Sequence, residues 1–201
     1  MNPYPTRYST LTKKALLLSC FFLTLFSFPF STYRWNIPPE PDLFDKEEVL
    51  NLEHIEKKIP GIYKEILQNL KTPDEARPSI WPVVGVVTSD FGWRRKRRYK
   101  EFHAGIDIAA PTGTPIVATA DGIVIFSGYV RGYGYVVIIY HGYGYTTVYA
   151  HMSGMEVSAG EIVAKGKVIG YVGRTGRATG PHLHYEVLKY GIRQNPILYL
   201  P

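Results

Sequence analysis

The run Tyr135-Val-Val-Ile-Ile-Tyr140, followed by His141-Gly-Tyr-Gly144 and then Tyr145-Thr-Thr-Val-Tyr149-Ala-His151, decides the fold class. Its first six residues are all β-branched or aromatic, the side chains that suit a pleated, half-buried surface. The two glycines mark a turn, and the residues after them alternate as a strand does. Working outward, Ile123-Val-Ile-Phe126 and Lys167-Val-Ile-Gly-Tyr-Val172 have the same character. Turn signals recur at Pro111-Thr-Gly113, Arg131-Gly-Tyr-Gly134 and Arg174-Thr-Gly176, and no segment after Ser79 carries a long helical stripe. The expectation is an all-β domain over residues 78–201, an antiparallel sheet of the sandwiched-barrel type, with a length that suits one core. Two stretches inside it look alike, Val117-Ala-Thr-Ala-Asp-Gly-Ile-Val124 and Val163-Ala-Lys-Gly-Lys-Val-Ile169. They read as a weak internal pseudo-repeat.

Upstream the composition changes. Ala15 to Phe30 is almost wholly apolar and is preceded by Arg7, Lys13 and Lys14. The apolar run is shorter than the ~20 residues of a usual membrane span. Ser31, Thr32 and Tyr33 extend it, and Tyr33 and Trp35 suit an interfacial belt. Residues 1–14 then stay in the cytoplasm, residues 15–33 form a single-pass anchor in the cytoplasmic (inner) membrane, and the rest lies on the extracytoplasmic or periplasmic side. A removable secretory signal is the other reading, and it lacks an A-x-A-like cleavage site. Residues 34–77 form a linker. Ile37-Pro-Pro-Glu-Pro41 is stiff, Asp42 to Lys58 is helix-like, Pro60-Gly61 breaks it, and Ile62, Ile66 and Leu70 continue at helical spacing until Thr72-Pro-Asp-Glu-Ala-Arg-Pro78 ends it. The expectation for residues 42–71 is a spacer, with self-association or a protein partner as the sharper alternative. Cys20 is the only cysteine, so no disulfide forms within the chain.

The chemistry lies in the histidines. Four of the six fall in three short clusters: His103-Ala-Gly-Ile-Asp107, Tyr149-Ala-His151 and Gly180-Pro-His182-Leu-His184. Imidazole plus carboxylate is a ligand set that Zn²⁺ takes, and three such ligands with an open position make a hydrolytic site. Five candidates exceed what one metal needs, and the surplus is free for proton transfer. On a strand, His182 and His184 share a face while Leu183 packs on the other. Gly105 and the β-branched Ile106 and Ile108 argue for a loop entering a strand that points Asp107 away from the isoleucines. His151 is expected at a strand end. A lone histidine is more often packed or solvated than a ligand, and His54 and His141 are read that way.

These clusters resemble those of the M23 zinc endopeptidases, the lysostaphin and LytM-like group that cuts peptide bonds in bacterial peptidoglycan. The resemblance covers roughly Pro78 to Pro201 and includes Thr88-Ser-Asp-Phe-Gly-Trp93, His103-Ala-Gly-Ile-Asp-Ile-Ala109, Gly113-Thr-Pro-Ile-Val-Ala118, Asp121-Gly122, Val148-Tyr-Ala-His151 and Thr179-Gly-Pro-His-Leu-His-Tyr-Glu186. It implies one Zn²⁺ per chain held by His103, Asp107 and His184, with His151 and His182 as catalytic histidines that do not ligate. It also implies hydrolysis of peptidoglycan cross-links, with stem peptides as substrate. No H-E-x-x-H glutamate is present. A histidine, with an ordinary pKa near 6.5, is then the natural base; His182 is assigned that role, with His151 orienting water or stabilising the oxyanion. Some relatives have lost ligands and only activate other wall enzymes, which makes a non-catalytic wall-binding or hydrolase-activating module the alternative. A lipoyl- or biotinyl-type carrier, with Lys165 or a histidine bearing a group, shares the β style but has no use for the His/Asp clusters.

Charge supports an anionic partner. Residues 1–77 hold ten basic and ten acidic side chains, and residues 78–201 hold thirteen and seven, so the net +6 belongs to the β domain. Arg94-Arg-Lys-Arg-Arg-Tyr-Lys100 is the densest run and is expected near the cleft, where it would attract an anionic wall polymer, stem-peptide carboxylates or lipid headgroups. Nucleic acid fits the charge alone, but an exported domain rarely meets it, and none is expected as a partner.

Overall fold

We describe residues 72–95 and 100–201 of a computed structural model of the chain. The expected anchor, the helices of residues 42–71, Cys20 and His54, and the middle of the basic run at residues 96–99 lie outside the described residues. Among the described residues no helix is long and apolar enough to cross a membrane.

The first element is a single helical turn, α1 (Pro73–Ala76), inside the stretch expected only to end a helix. The cause is local. Thr72 caps the Glu75 amide while the Glu75 carboxylate returns to the Thr72 amide, and Pro73 sits where a missing N–H costs nothing.

Everything after it is strand, as expected: β1 (Val86–Ser89), β2 (Gly92–Arg95), β3 (Lys100–His103), β4 (Ile106–Ala109), β5 (Pro115–Val117), β6 (Gly122–Val130), β7 (Gly134–Gly142), β8 (Tyr145–Met155), β9 (Ile162–Val163), β10 (Val168–Val172), β11 (His182–Lys189) and β12 (Ile192–Gln194), with a closing 3₁₀ turn at Pro196–Leu198. All pairings are antiparallel. The main sheet runs β1-β4-β11-β8-β7-β6-β9, with β10 joining β8 to β5 and β12 flanking β11; β2 and β3 form a separate hairpin. The turn between β7 and β8 is Tyr143-Gly144, both at positive φ, the backbone that matches strand twist in a two-residue hairpin.

The two look-alike stretches pair with each other rather than stacking as repeats: β5 pairs with β10 and β6 with β9, and Ala118 and Gly166 exchange backbone bonds with Lys167 and Ala118. Their alternation fills one core. Ile106, Ile108, Ile116, Ile139, Tyr149, Ile169, Leu183 and Tyr185 are fully buried in it. The two tyrosine hydroxyls end on Thr119, at 3.0 and 2.9 Å, so neither leaves a polar atom unpaired in apolar surroundings.

Candidate metal centre

Three neighbouring strands, β4, β11 and β8, hold the site. Asp107 stands directly across from His184, and His184 across from Ala150. On β4 the flanking Ile106 and Ile108 are wholly buried, so alternation turns Asp107 to the opposite face. On β11 the buried Leu183 does the same for His182 and His184. Both alternations follow the sequence expectation. His103 departs from it slightly, ending strand β3 instead of lying in a loop. Arg94, one end of the basic run, lies beside the site, with Nη1 3.7 Å from Asp107 Oδ2 and Nε 3.3 Å from Glu101.

His151 is not at the end of its strand. It sits inside β8 at φ 63°, where the pairing skips from Tyr135↔Met152 to Val137↔Tyr149. One extra residue on β8 makes this a bulge, and bulges re-aim side chains. A non-glycine residue in the left-handed region is strained, and such strain persists where surrounding contacts fix it. The His151 amide donates to the Tyr133 carbonyl at 2.8 Å, and its Nδ1–H to the Thr175 carbonyl at 2.8 Å.

The other imidazoles are held in the same manner. A backbone carbonyl can only accept, so each nitrogen bonded to one carries a proton. His103 Nδ1–H donates to Asp90 O at 2.7 Å, and His182 Nδ1–H to Gly180 O at 2.8 Å. His184 Nε2–H donates to the buried Glu186 carboxylate at 2.9 Å. The remaining nitrogens are therefore lone pairs in the neutral rings. His103 Nε2, His184 Nδ1 and Asp107 Oδ1 then converge, 3.1, 3.1 and 2.8 Å apart. Three acceptors facing one another repel unless positive charge lies among them. Tetrahedral ligands about 2.0–2.1 Å from a zinc stand about 3.3 Å from each other, close to the spacing here. The donor set therefore fits a zinc-like cation. Among the described residues this trio is the cluster of His, Cys, Asp or Glu that could hold a metal.

His182 and His151 flank the trio, with His182 Nε2 3.6 Å from Asp107 Oδ1 and the two ring centroids 4.7 Å apart. Burial and the charges of His184 and His182 push the His151 imidazole down to about 4, so it is neutral at pH 7. Burial opposes the charge on Asp107, but the hydrogen bonds and positive charge that His103 and His184 supply when a proton, rather than a metal, lies among the three outweigh it and hold the carboxyl far below the usual range. For His184 burial favours the neutral ring, whereas bonds to Asp107 and Glu186 raise its pKa overall. Burial, with the charge of Glu186, raises the Tyr133 phenol well above its ordinary value, so it remains a donor.

All five sequence-predicted residues thus meet. His141 does not join them: it is fully buried, with Nδ1–H on Asp121 O at 2.8 Å and Nε2 2.7 Å from Thr147 Oγ1. It is a core histidine, as expected. The backing residues Glu186, Tyr133 and Arg193 were not assigned from sequence. Glu186 carried a signal, being a charge at i+2 from His184 and so on the same face of the strand. Tyr133 and Arg193 carried none.

Fold and donors define an all-β domain with a convergent His-Asp-His trio beside two further imidazoles. The model of peptidase family M23 matches residues 101–196. The DD-carboxypeptidase/endopeptidase Mpg of Neisseria meningitidis is 48% identical over 113 residues, 55% of this chain and 26% of that protein. The murein hydrolase activator NlpD of Salmonella dublin is 40% identical over 122 residues, 60% of this chain and 31% of that protein. Among solved structures, a catalytic-domain variant of the prophage-encoded M23 protein EnpA from Enterococcus faecalis superposes with a TM-score of 0.53 at 41% identity, covering 58% of this chain and 92% of that one. The chain belongs to peptidase family M23. It spans about a quarter of the length of the first curated relatives it matches.

Proposed function

We propose that the chain is a zinc endopeptidase that hydrolyses peptide cross-links of peptidoglycan. The observation that carries this reading is the convergence of His103 Nε2, Asp107 Oδ1 and His184 Nδ1 with two imidazoles to spare. In it, His103, Asp107 and His184 hold one zinc. An ion held there would supply Lewis acidity and lower the pKa of water toward neutrality. His182, with Nδ1–H committed to Gly180, offers Nε2 as proton acceptor beside Asp107. His151, neutral and anchored on Thr175, offers a second Nε2 that orients water or receives a proton and returns it to the leaving amine. Arg94 adds positive charge at the rim for stem-peptide carboxylates. Residues 15–33 anchor the chain in the cytoplasmic membrane and place the peptidase outside it.

The likeness to an activator favours a second reading, a non-catalytic module that stimulates other wall hydrolases. The complete donor set supports the enzyme over it, since an activator needs neither the trio nor the flanking imidazoles. The test is digestion of purified cross-linked peptidoglycan with the full chain, with and without chelator, the products resolved by mass spectrometry. Chelator-sensitive release of uncross-linked stem peptides with the glycan intact is the expected result. Full zinc occupancy without cleavage would transfer the weight to the activator.

A further inference from the structure

Glu186 is wholly buried, two residues beyond His184 and on the same face of β11. An ionised carboxylate taken out of water is costly unless it is paired and hydrogen-bonded. Glu186 meets both conditions. Its Oε1 accepts from His184 Nε2–H at 2.9 Å and from the Tyr133 hydroxyl, and its Oε2 accepts from Arg193 Nε at 3.3 Å. Tyr133 comes from the turn between β6 and β7 and Arg193 from β12, so two further elements converge on one carboxylate behind one histidine.

The effect on His184 follows from the ring. A carboxylate at Nε2 keeps the proton there and leaves Nδ1 bare, facing Asp107 and His103. His103 differs, because its own N–H rests on a neutral carbonyl. Of the two imidazoles in the trio, only His184 is backed by a carboxylate, which raises ligand basicity. We propose that Glu186, braced by Tyr133 and Arg193, is a positioning residue that fixes the tautomer and aim of His184 and thereby sets the affinity of the site for zinc. This rests on the reading of His184 as a zinc ligand.

The experiment measures the zinc dissociation constant of the full chain by competition with a chromophoric chelator, together with the melting temperature of the metal-free protein. Glu186→Gln, which keeps an acceptor but removes the charge, is expected to weaken zinc binding about 10–100-fold while the metal-free protein stays folded. A folded E186Q with zinc affinity within about twofold of wild type, well below that range, overturns the proposal. So does an affinity loss that only tracks the unfolded fraction. Should E186Q not fold, Glu186→Asp keeps the charge and withdraws it by one methylene. Weakening by about tenfold or more in folded E186D supports the role, and wild-type affinity overturns it. A wild type that takes up no zinc overturns the functional reading itself, whereas wild-type binding with an indifferent E186Q removes only the role of Glu186.

Discussion

Gly105→Ala tests whether strand contact sets the geometry of the trio. A Cβ at Gly105 would lie 2.1 Å from the Tyr185 carbonyl oxygen, 2.8 Å from its carbon and 3.0 Å from Glu186 Cγ. Ordinary contact begins at 3.4 Å, so the oxygen must recede by 3.4 − 2.1 = 1.3 Å. That oxygen is backbone of β11 and cannot rotate away. The strain falls between β4 and β11, whose register pairs Ile106 with Tyr185 and Asp107 with His184. Overpacking of this size costs about 1–3 kcal/mol, and at roughly 3–6 °C per kcal/mol the melting temperature falls by about 3–18 °C. A shift of about 1 Å between catalytic groups also costs of order 10²-fold in rate. Calorimetry of the metal-free protein and cleavage of cross-linked peptidoglycan read the two effects separately. A melting temperature within about 2 °C of wild type and a rate within about threefold would refute the reasoning, because β4 and β11 would then tolerate separation without moving the site.

Other expectations follow from the same geometry. His151→Ala and His182→Ala each retain a full equivalent of zinc, by metal analysis, while cleavage drops about 10²–10⁴-fold, the scale of general acid–base catalysis; zinc loss in either variant would make that residue a ligand. His141→Leu takes away the buried ring that bonds the Asp121 carbonyl and the Thr147 hydroxyl, destabilises by roughly 1–3 kcal/mol in denaturant unfolding and leaves zinc affinity unchanged. A zinc defect in that variant would place His141 in the site.

The sequence was legible where local pattern decides the outcome. Leu183 between two histidines and Ile106 and Ile108 around Asp107 oriented the site's side chains by alternation alone, and both assignments match the strands. The strand content of residues 86–194 followed from β-branched and aromatic runs between glycine turns. Legibility ended where contacts are long-range. The bulge that re-aims His151 depends on the register between β7 and β8, and no residue type at position 151 announces it. Asp90, Gly180 and Thr175 fix imidazole tautomers through backbone carbonyls, which carry no side-chain signature. The pairing of the two look-alike stretches with each other and the convergence of Tyr133 and Arg193 on Glu186 likewise arise only when distant strands meet. The single turn at Pro73–Ala76 shows the reverse case, where Thr72 and Glu75 spell a capping box three residues apart that was read only as a helix end.

The central claim is that the His103-Asp107-His184 trio binds zinc and leaves His151 and His182 unligated. The most direct test is anomalous diffraction at the zinc edge from crystals of the protein grown with zinc. The account predicts one peak about 2.0–2.2 Å from His103 Nε2, Asp107 Oδ1 and His184 Nδ1, with both other imidazoles outside bonding distance. A peak bonded to His151 or His182, or zinc bound elsewhere with the trio empty, would contradict it.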